Sequence, residues 1–70
     1  MNPMSGKVFA RILLRNGWTL LRIQGSHHIF GKAGSIVRLS VPIHGNDALK
    51  SGLCNHLLKM AGLTQDDLHD

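Results

Sequence analysis

The chain has 70 residues, of which 43% are hydrophobic and 17% are charged. This length predicts a single domain, residues 1–70, and the composition is too apolar for a disordered segment. The lone cysteine, Cys54, excludes an internal disulfide. No Cys/His spacing typical of a zinc site occurs, so no metal or other cofactor is expected. A membrane-length apolar run and a signal-peptide pattern are both missing, which predicts a cytoplasmic protein with no membrane segment.

The charge is unevenly distributed along the chain. Eight Lys and Arg residues oppose four acids, giving a net charge of +4 with neutral histidines, and all four acids follow residue 46. The basic residues of the acid-free part are Lys7, Arg11, Arg15, Arg22, Lys32 and Arg38. An uncompensated basic half favours a polyanionic partner such as nucleic acid, although many small proteins are basic for solubility alone.

The first predicted element is an amphipathic helix over residues 6–16. Its apolar face consists of Val8, Phe9, Ile12 and Leu13. These residues recur at the three-to-four spacing of one helical face. Ser5 is a suitable N-cap, and Gly17 can adopt the left-handed conformation that ends a helix.

Three short strands are predicted next, over residues 18–24, 27–32 and 36–41. Their branched and aromatic residues favour strand structure. Gly25-Ser26 and Gly34-Ser35 supply the turns between them. Pro42 has no N–H to donate and is expected to end the third strand. An antiparallel three-stranded meander follows.

A second amphipathic helix is predicted from about Ser51 to a stop at Gly62, and Thr64-x-x-Asp67 is typical of the cap of a final short turn. The element order is then α-β-β-β-α. This order predicts an α+β fold in which both helices cover one face of a three-stranded antiparallel sheet. The other face of the sheet is left open to ligands or partners.

Strand alternation predicts which side chains lie on that open face. Successive residues of a strand point to opposite faces, so His27 lies opposite His28 and Phe30. If Phe30 packs under the helices, His27 projects from the open face. Arg38 and Ser40 project there too if their apolar neighbours point inward.

Four short motifs occur in an order that resembles one protein family. They are Gly17-Trp18, Gly25-Ser26-His27-His28, Val41-Pro42-x-His44-Gly45 and Met60-Ala61-Gly62-Leu63. Together they resemble the HicA toxins over nearly the whole chain. The resemblance implies a fold similar to double-stranded-RNA-binding domains, messenger-RNA interferase activity and neutralisation by a HicB antitoxin. It also implies that His27 is the catalytic residue.

A single histidine suits this reaction because RNA carries its own nucleophile, the 2′-hydroxyl, and imidazole exchanges protons near neutral pH. A positioned base contributes on the order of 10²–10⁴-fold. Neighbouring cations can bind the phosphate. Arg38 is the first candidate from the sequence, with Arg22 and Lys32 after it. Ser26 is a further RNA-binding candidate, although with its glycine neighbour it more readily shapes the turn.

Other candidates have plainer interpretations. His28 is expected on the core side and His44 is expected to order the loop after Pro42, while the two histidines nearer the C-terminus are expected at the surface. Trp18 could stack on a base, but its position after a helix-ending glycine favours core packing. The loop at residues 31–35 is short and Gly-rich where family members often carry more basic residues, which lowers the RNA contact expected from it.

Two further functions are compatible with the same residues. Ile29 and either Leu21 or Ile23 are expected to be exposed, and exposed apolar groups on a sheet suggest a protein partner such as an antitoxin. A different strand register would explain them equally well. The alternatives to a nuclease are therefore a non-catalytic RNA-binding module and a module that only binds an antitoxin.

Overall fold

The computed structural model describes residues 4–69, so Asp70 of the acidic tail lies outside it. Its elements are α1 (Gly6–Arg15), β1 (Thr19–Gln24), β2 (His27–Gly31), β3 (Leu39–Pro42), α2 (Ser51–Ala61) and a short 3-10 helix (Gln65–Asp67). The three strands form one antiparallel sheet in the order β1-β2-β3. The predicted α+β class and the order α-β-β-β-α are confirmed.

The helix ends follow the local signals in the sequence. The Ser5 side chain accepts a hydrogen bond of 3.2 Å from the Val8 N–H, which satisfies a free donor in the first turn of α1. Gly62 ends α2 with a φ of 71°, in the left-handed region that favours glycine. Thr64 and Asp67 form the reciprocal bonds of a capping box around the 3-10 helix.

The hydrophobic core lies between the two helices and one face of β2 and β3. Its members are Phe9, Leu13, Trp18, Phe30, Leu39, Val41, Leu49, Cys54, Leu57, Leu58 and Ala61. Trp18 is 4% exposed, so its predicted core packing is confirmed. All six residues of β1 are exposed. The helices therefore cover only part of the sheet, and β1 is left as an exposed edge strand.

Cys54 packs in the core as a small apolar residue. It is 1% exposed, and desolvation by burial raises the pKa of its thiol. A thiol in this state is a poor nucleophile. None of the helices within residues 4–69 combines the length and the apolarity needed to cross a membrane.

The close contact between α1 and β3 depends on Gly6. A Cβ at this position would overlap the carbonyl oxygen of Pro42, and the Ile43 side chain would lie 3.0 Å away. Because a backbone carbonyl inside a sheet cannot move cheaply, only glycine fits there. The first turn of α1 is thereby seated against the end of β3.

The predicted start of the third strand is wrong. The strand spans Leu39–Pro42 instead of residues 36–41, and its pairing with β2 ends at Phe30 and Leu39. The pairing does not continue into the three preceding residues, and Ile36 is 97% exposed. The predicted end is also one residue early, since Pro42 pairs with His27 at the sheet edge, where no donor is required of it.

Candidate functional site

His27 lies on the face of the sheet that the helices leave open. The register of β2 and β3 pairs Phe30 with Leu39, and both side chains are 1% exposed against the helices. His28 lies on this same face and is half-buried. His27 points the opposite way and is exposed, as strand alternation predicts.

The His27 ring is held by a contact across the sheet. Its Nδ1 lies 3.3 Å from the hydroxyl oxygen of Ser40, which is also on the open face. In one tautomer Nδ1–H donates to this hydroxyl, and Nε2 then keeps a lone pair available to accept a proton. That tautomer is the form that a general base requires.

An irregularity in β1 brings a cation to the same face. Leu20 pairs with Phe30 and Arg22 pairs with Ile29, so Leu21 is an extra residue without a partner. This extra residue is a β-bulge, and it shifts every following side chain to the other face. Without it, Arg22 would lie on the helix side.

Arg22 and His27 are consequently diagonal neighbours on the open face. Gln24 lies directly opposite His27, and Arg22 is two residues further along β1. Such diagonal neighbours have Cα atoms about 7–8 Å apart, within reach of a long side chain. Arg22 is therefore the cation of the candidate site that is placed nearest to His27.

Arg38, the first phosphate-binding candidate from the sequence, lies at the other end of the open face. Its Cζ would be 3.3 Å from a Cβ built on Gly31, and its guanidinium donates to the carbonyls of Ser35 and Val37. Gly31 lies four residues beyond His27 in β2, about 13 Å along the strand. In the register of the sheet, Arg22 is thus closer to His27 than Arg38 is.

A small cleft forms around Arg38. It has a volume of 270 Å³ and is lined by Thr19, Leu21, Gly31, Lys32, Ala33 and Arg38. The Lys32 ammonium also lies 5.7 Å from the centre of the Trp18 ring, in a cation–π contact. The cleft therefore combines two cations with an apolar wall, and the missing side chain of Gly31 lets Leu21 and Arg38 pack over this position.

Ser26 has a structural role in the turn before β2. It is half-buried, and its carbonyl accepts a 2.8 Å hydrogen bond from the Ile43 N–H. The same carbonyl lies 3.3 Å from Nδ1 of His28. These backbone contacts fix the turn from which His27 emerges.

A larger cavity, which sequence reasoning missed, lies where β3 leads into α2. We name it the connector cavity; it has a volume of 420 Å³ and is lined by Pro42, His44, Asp47, Ala48, Leu49, Lys50 and Leu53. The His44 carbonyl accepts a 2.9 Å hydrogen bond from the Asp47 N–H, which closes a turn in this loop. The sequence gives no local signal for the cavity because it forms between segments that meet only in the fold.

Exposed apolar side chains lie along the edge strand. Leu21 is 48% and Ile23 is 55% exposed, whereas Ile29, which was expected to be exposed as well, is half-buried. The bulge divides the first two between the faces, because Leu21 covers Gly31 and Ile23 pairs with His28 on the helix side. Either Leu21 or Ile23 was expected from the sequence to be exposed, and the structure shows that both are.

Donor groups for a metal are dispersed in the described part of the chain. Within residues 4–69, no three His, Cys, Asp or Glu side chains form a cluster that could hold a metal ion. The candidate site consists of an imidazole with a hydroxyl partner, a neighbouring arginine and, further along the face, the cleft around Arg38.

Comparison with known proteins gives one family. A model described as the HicA toxin of bacterial toxin–antitoxin systems matches residues 6–63, from the start of α1 to just beyond α2. No curated protein sequence matches the chain. The match spans the whole sheet, both helices and the candidate site, and the chain belongs to the HicA toxin family.

Proposed function

We propose that this toxin is a metal-independent endoribonuclease that cleaves messenger RNA, with His27 as the general base. One observation carries the proposal. In this HicA-family chain, the exposed imidazole of His27 lies on the uncovered, basic face of the sheet, with its Nδ1 within hydrogen-bond distance of the Ser40 hydroxyl. The family match supports a toxin, and the chemistry of the face supports RNA as its target.

In the proposed reaction, Nε2 of His27 accepts the proton of a ribose 2′-hydroxyl. The 2′-oxygen then forms a bond to the adjacent phosphorus, and the bond from phosphorus to the 5′-oxygen breaks. The products are a 2′,3′-cyclic phosphate and a 5′-hydroxyl, whose proton comes from solvent because the site is open. No metal-bound water is needed, since the substrate supplies the nucleophile.

Phosphate binding is assigned to two groups of cations. Arg22, diagonal to His27, would bind the scissile phosphate and offset the charge that develops on it. Arg38 and Lys32 border the 270 Å³ cleft further along the face and would bind a neighbouring nucleotide. Ser26 would contribute only through the turn that its backbone holds.

Family membership implies an antitoxin partner, and we propose a HicB-like protein that covers the open face. The exposed Leu21 lies on that face and gives it an apolar contact point. Since messenger RNA and its translation are cytoplasmic, we propose that the toxin acts there.

The direct test of the activity compares two substrates of the same sequence. Purified toxin is incubated in excess EDTA with an RNA and with its all-deoxy counterpart, and products are resolved on a denaturing gel. Cleavage of the RNA alone is expected. Intact RNA would leave the alternative of a binding module, whereas cleavage of both substrates would exclude the 2′-hydroxyl as the nucleophile.

Arg22→Ala is expected to weaken RNA binding and to reduce its salt dependence. Each phosphate neutralised on a single strand contributes about 0.7 to the slope of log affinity against log salt, so losing one contact should lower the slope by that amount. The measurement is a fluorescence-anisotropy titration at several salt concentrations, in the His27→Ala background so that the RNA stays intact.

Lys59→Ala is the matched control for Arg22→Ala. Lys59 is an exposed cation in the last turn of α2, and its removal changes the net charge by the same amount. The control should leave the slope nearly unchanged. Equal effects of the two variants would show that Arg22 contributes only to the general field of the protein.

A further inference from the structure

The connector cavity has no part in the reaction as proposed, yet one of its lining residues is paired with His27. Pro42 is the residue of β3 that pairs with His27, and it also lines the cavity. Paired residues of an antiparallel sheet have Cα atoms about 5 Å apart. The cavity therefore begins one strand away from the candidate catalytic residue.

The two cavities lie at different levels along the sheet. The cleft around Arg38 is level with Gly31, and the connector cavity begins level with His27. An RNA strand that crosses the open face past Arg22 and His27 would continue toward Pro42. RNA bound in this way would bring the nucleotide next to the scissile phosphate toward Pro42 and the connector cavity.

The lining of this cavity suits a nucleobase. Leu49 is 8% exposed and, with the half-buried Leu53, provides an apolar wall for the flat face of a base. The exposed side chains of His44, Asp47 and Lys50 border it with an imidazole, a carboxylate and an ammonium group. The volume of 420 Å³ is within the range of small-ligand sites, about 300–1,000 Å³, unlike the cleft around Arg38.

Among the residues that line the connector cavity, Asp47 indicates most clearly which base would bind. It is the single acid in the first 65 residues, and it lies among groups that would otherwise suit an anion. A carboxylate near a phosphate backbone is unfavourable unless it accepts hydrogen bonds. An ionised carboxylate only accepts, so it favours a base edge that presents two adjacent N–H donors. Guanine has such an edge, in its N1–H and 2-amino groups.

We infer that the connector cavity binds a guanine base adjacent to the cleaved phosphodiester, with Asp47 reading its N–H edge and the leucine wall receiving its face. This inference rests on the proposed function for its substrate class, but it makes a claim about binding alone. The cavity would give the toxin a sequence preference that the sheet face, which meets phosphates and riboses, does not supply.

The test measures binding, so it does not depend on cleavage. The full chain, with its leucine methyl groups labelled, is titrated in turn with the 5′-monophosphates of guanosine, adenosine, cytidine and uridine and followed by NMR. Guanosine monophosphate is expected to shift the methyl signals of Leu49 and Leu53 and to bind most tightly. Asp47→Asn should reduce its affinity by about fivefold or more, the lower end of what a bidentate base contact supplies.

Asp66→Asn is the matched control, because Asp66 is an exposed acid in the 3-10 helix and is not part of the cavity lining. It should leave the preference for guanosine monophosphate intact. Equal binding of the four nucleotides, or shifts confined to Leu21, would overturn the inference. The inference would also be overturned if the antitoxin shifted the methyl signals of Leu49 and Leu53 while none of the four nucleotides did. The cavity would then bind a side chain of the antitoxin. Toxin that binds guanosine monophosphate here but leaves RNA intact would contradict the nuclease alone.

Discussion

Replacing His27 with Ala is expected to reduce RNA cleavage by about 10²–10⁴-fold, the contribution of a positioned general base. The imidazole is exposed and its loss opens no cavity in the core, so folding should be unaffected. Rates are measured with a fluorescent oligonucleotide in EDTA, and circular dichroism and thermal unfolding are compared with the wild type.

His56→Ala is the matched control for this variant, since His56 is an exposed histidine on α2. It should retain the wild-type rate. If His27→Ala also retains that rate while His28→Ala loses it, the catalytic group belongs to the neighbouring residue. In that case the face assignment no longer explains the chemistry.

Phe30→Ala is expected to cost about 3–5 kcal/mol in the free energy of unfolding, as for other large-to-small changes of buried aromatic residues. Phe30 is 1% exposed and packs between the sheet and both helices. A chain of this size has a total stability of roughly 3–10 kcal/mol. The variant should therefore be partly unfolded in buffer, as measured by urea denaturation followed by circular dichroism.

Ile29→Ala is the comparison that makes this prediction specific to the register. Ile29 is the adjacent residue, is half-buried and lies on the open face with His27. Its replacement should cost clearly less stability than that of Phe30. Similar losses for the two variants would mean that β2 does not alternate between a core face and an open face as described.

The element order and the helix ends could be predicted because they depend on neighbouring residues. Ser5 begins a helix through its own hydroxyl, and Gly62 ends one through its own backbone freedom. The placement of His27 also needed only alternation and one buried neighbour, Phe30. These features rest on interactions within a few residues of the chain.

The bulge in β1 could not be predicted, because it is a property of two strands paired together. The residues around it, from Leu20 to Ile23, are apolar apart from Arg22 and give no alternation by which to assign faces. Their pairing with β2 decides the faces instead. That is why sequence reasoning placed Arg38 ahead of Arg22.

The start of β3 and the connector cavity were missed for the same reason. Residues 36–38 have strand-like composition, but the pairing with β2 stops at Phe30 and Leu39, and β2 extends only one residue further, to Gly31. The connector cavity depends on how the segment from His44 to Lys50 folds back against α2. Both are set by contacts between segments that are distant in sequence or by the length of a partner strand.

The chemical ends of the RNA fragments test the proposed role of His27 most directly. An oligonucleotide that the toxin cleaves at one position is digested in EDTA, and the fragments are identified by mass spectrometry. Attack by the 2′-oxygen predicts a 2′,3′-cyclic phosphate on one fragment, a 5′-hydroxyl on the other, and no cleavage when that single 2′-hydroxyl is methylated. A 3′-hydroxyl with a 5′-phosphate, or cleavage of the methylated substrate, would contradict it.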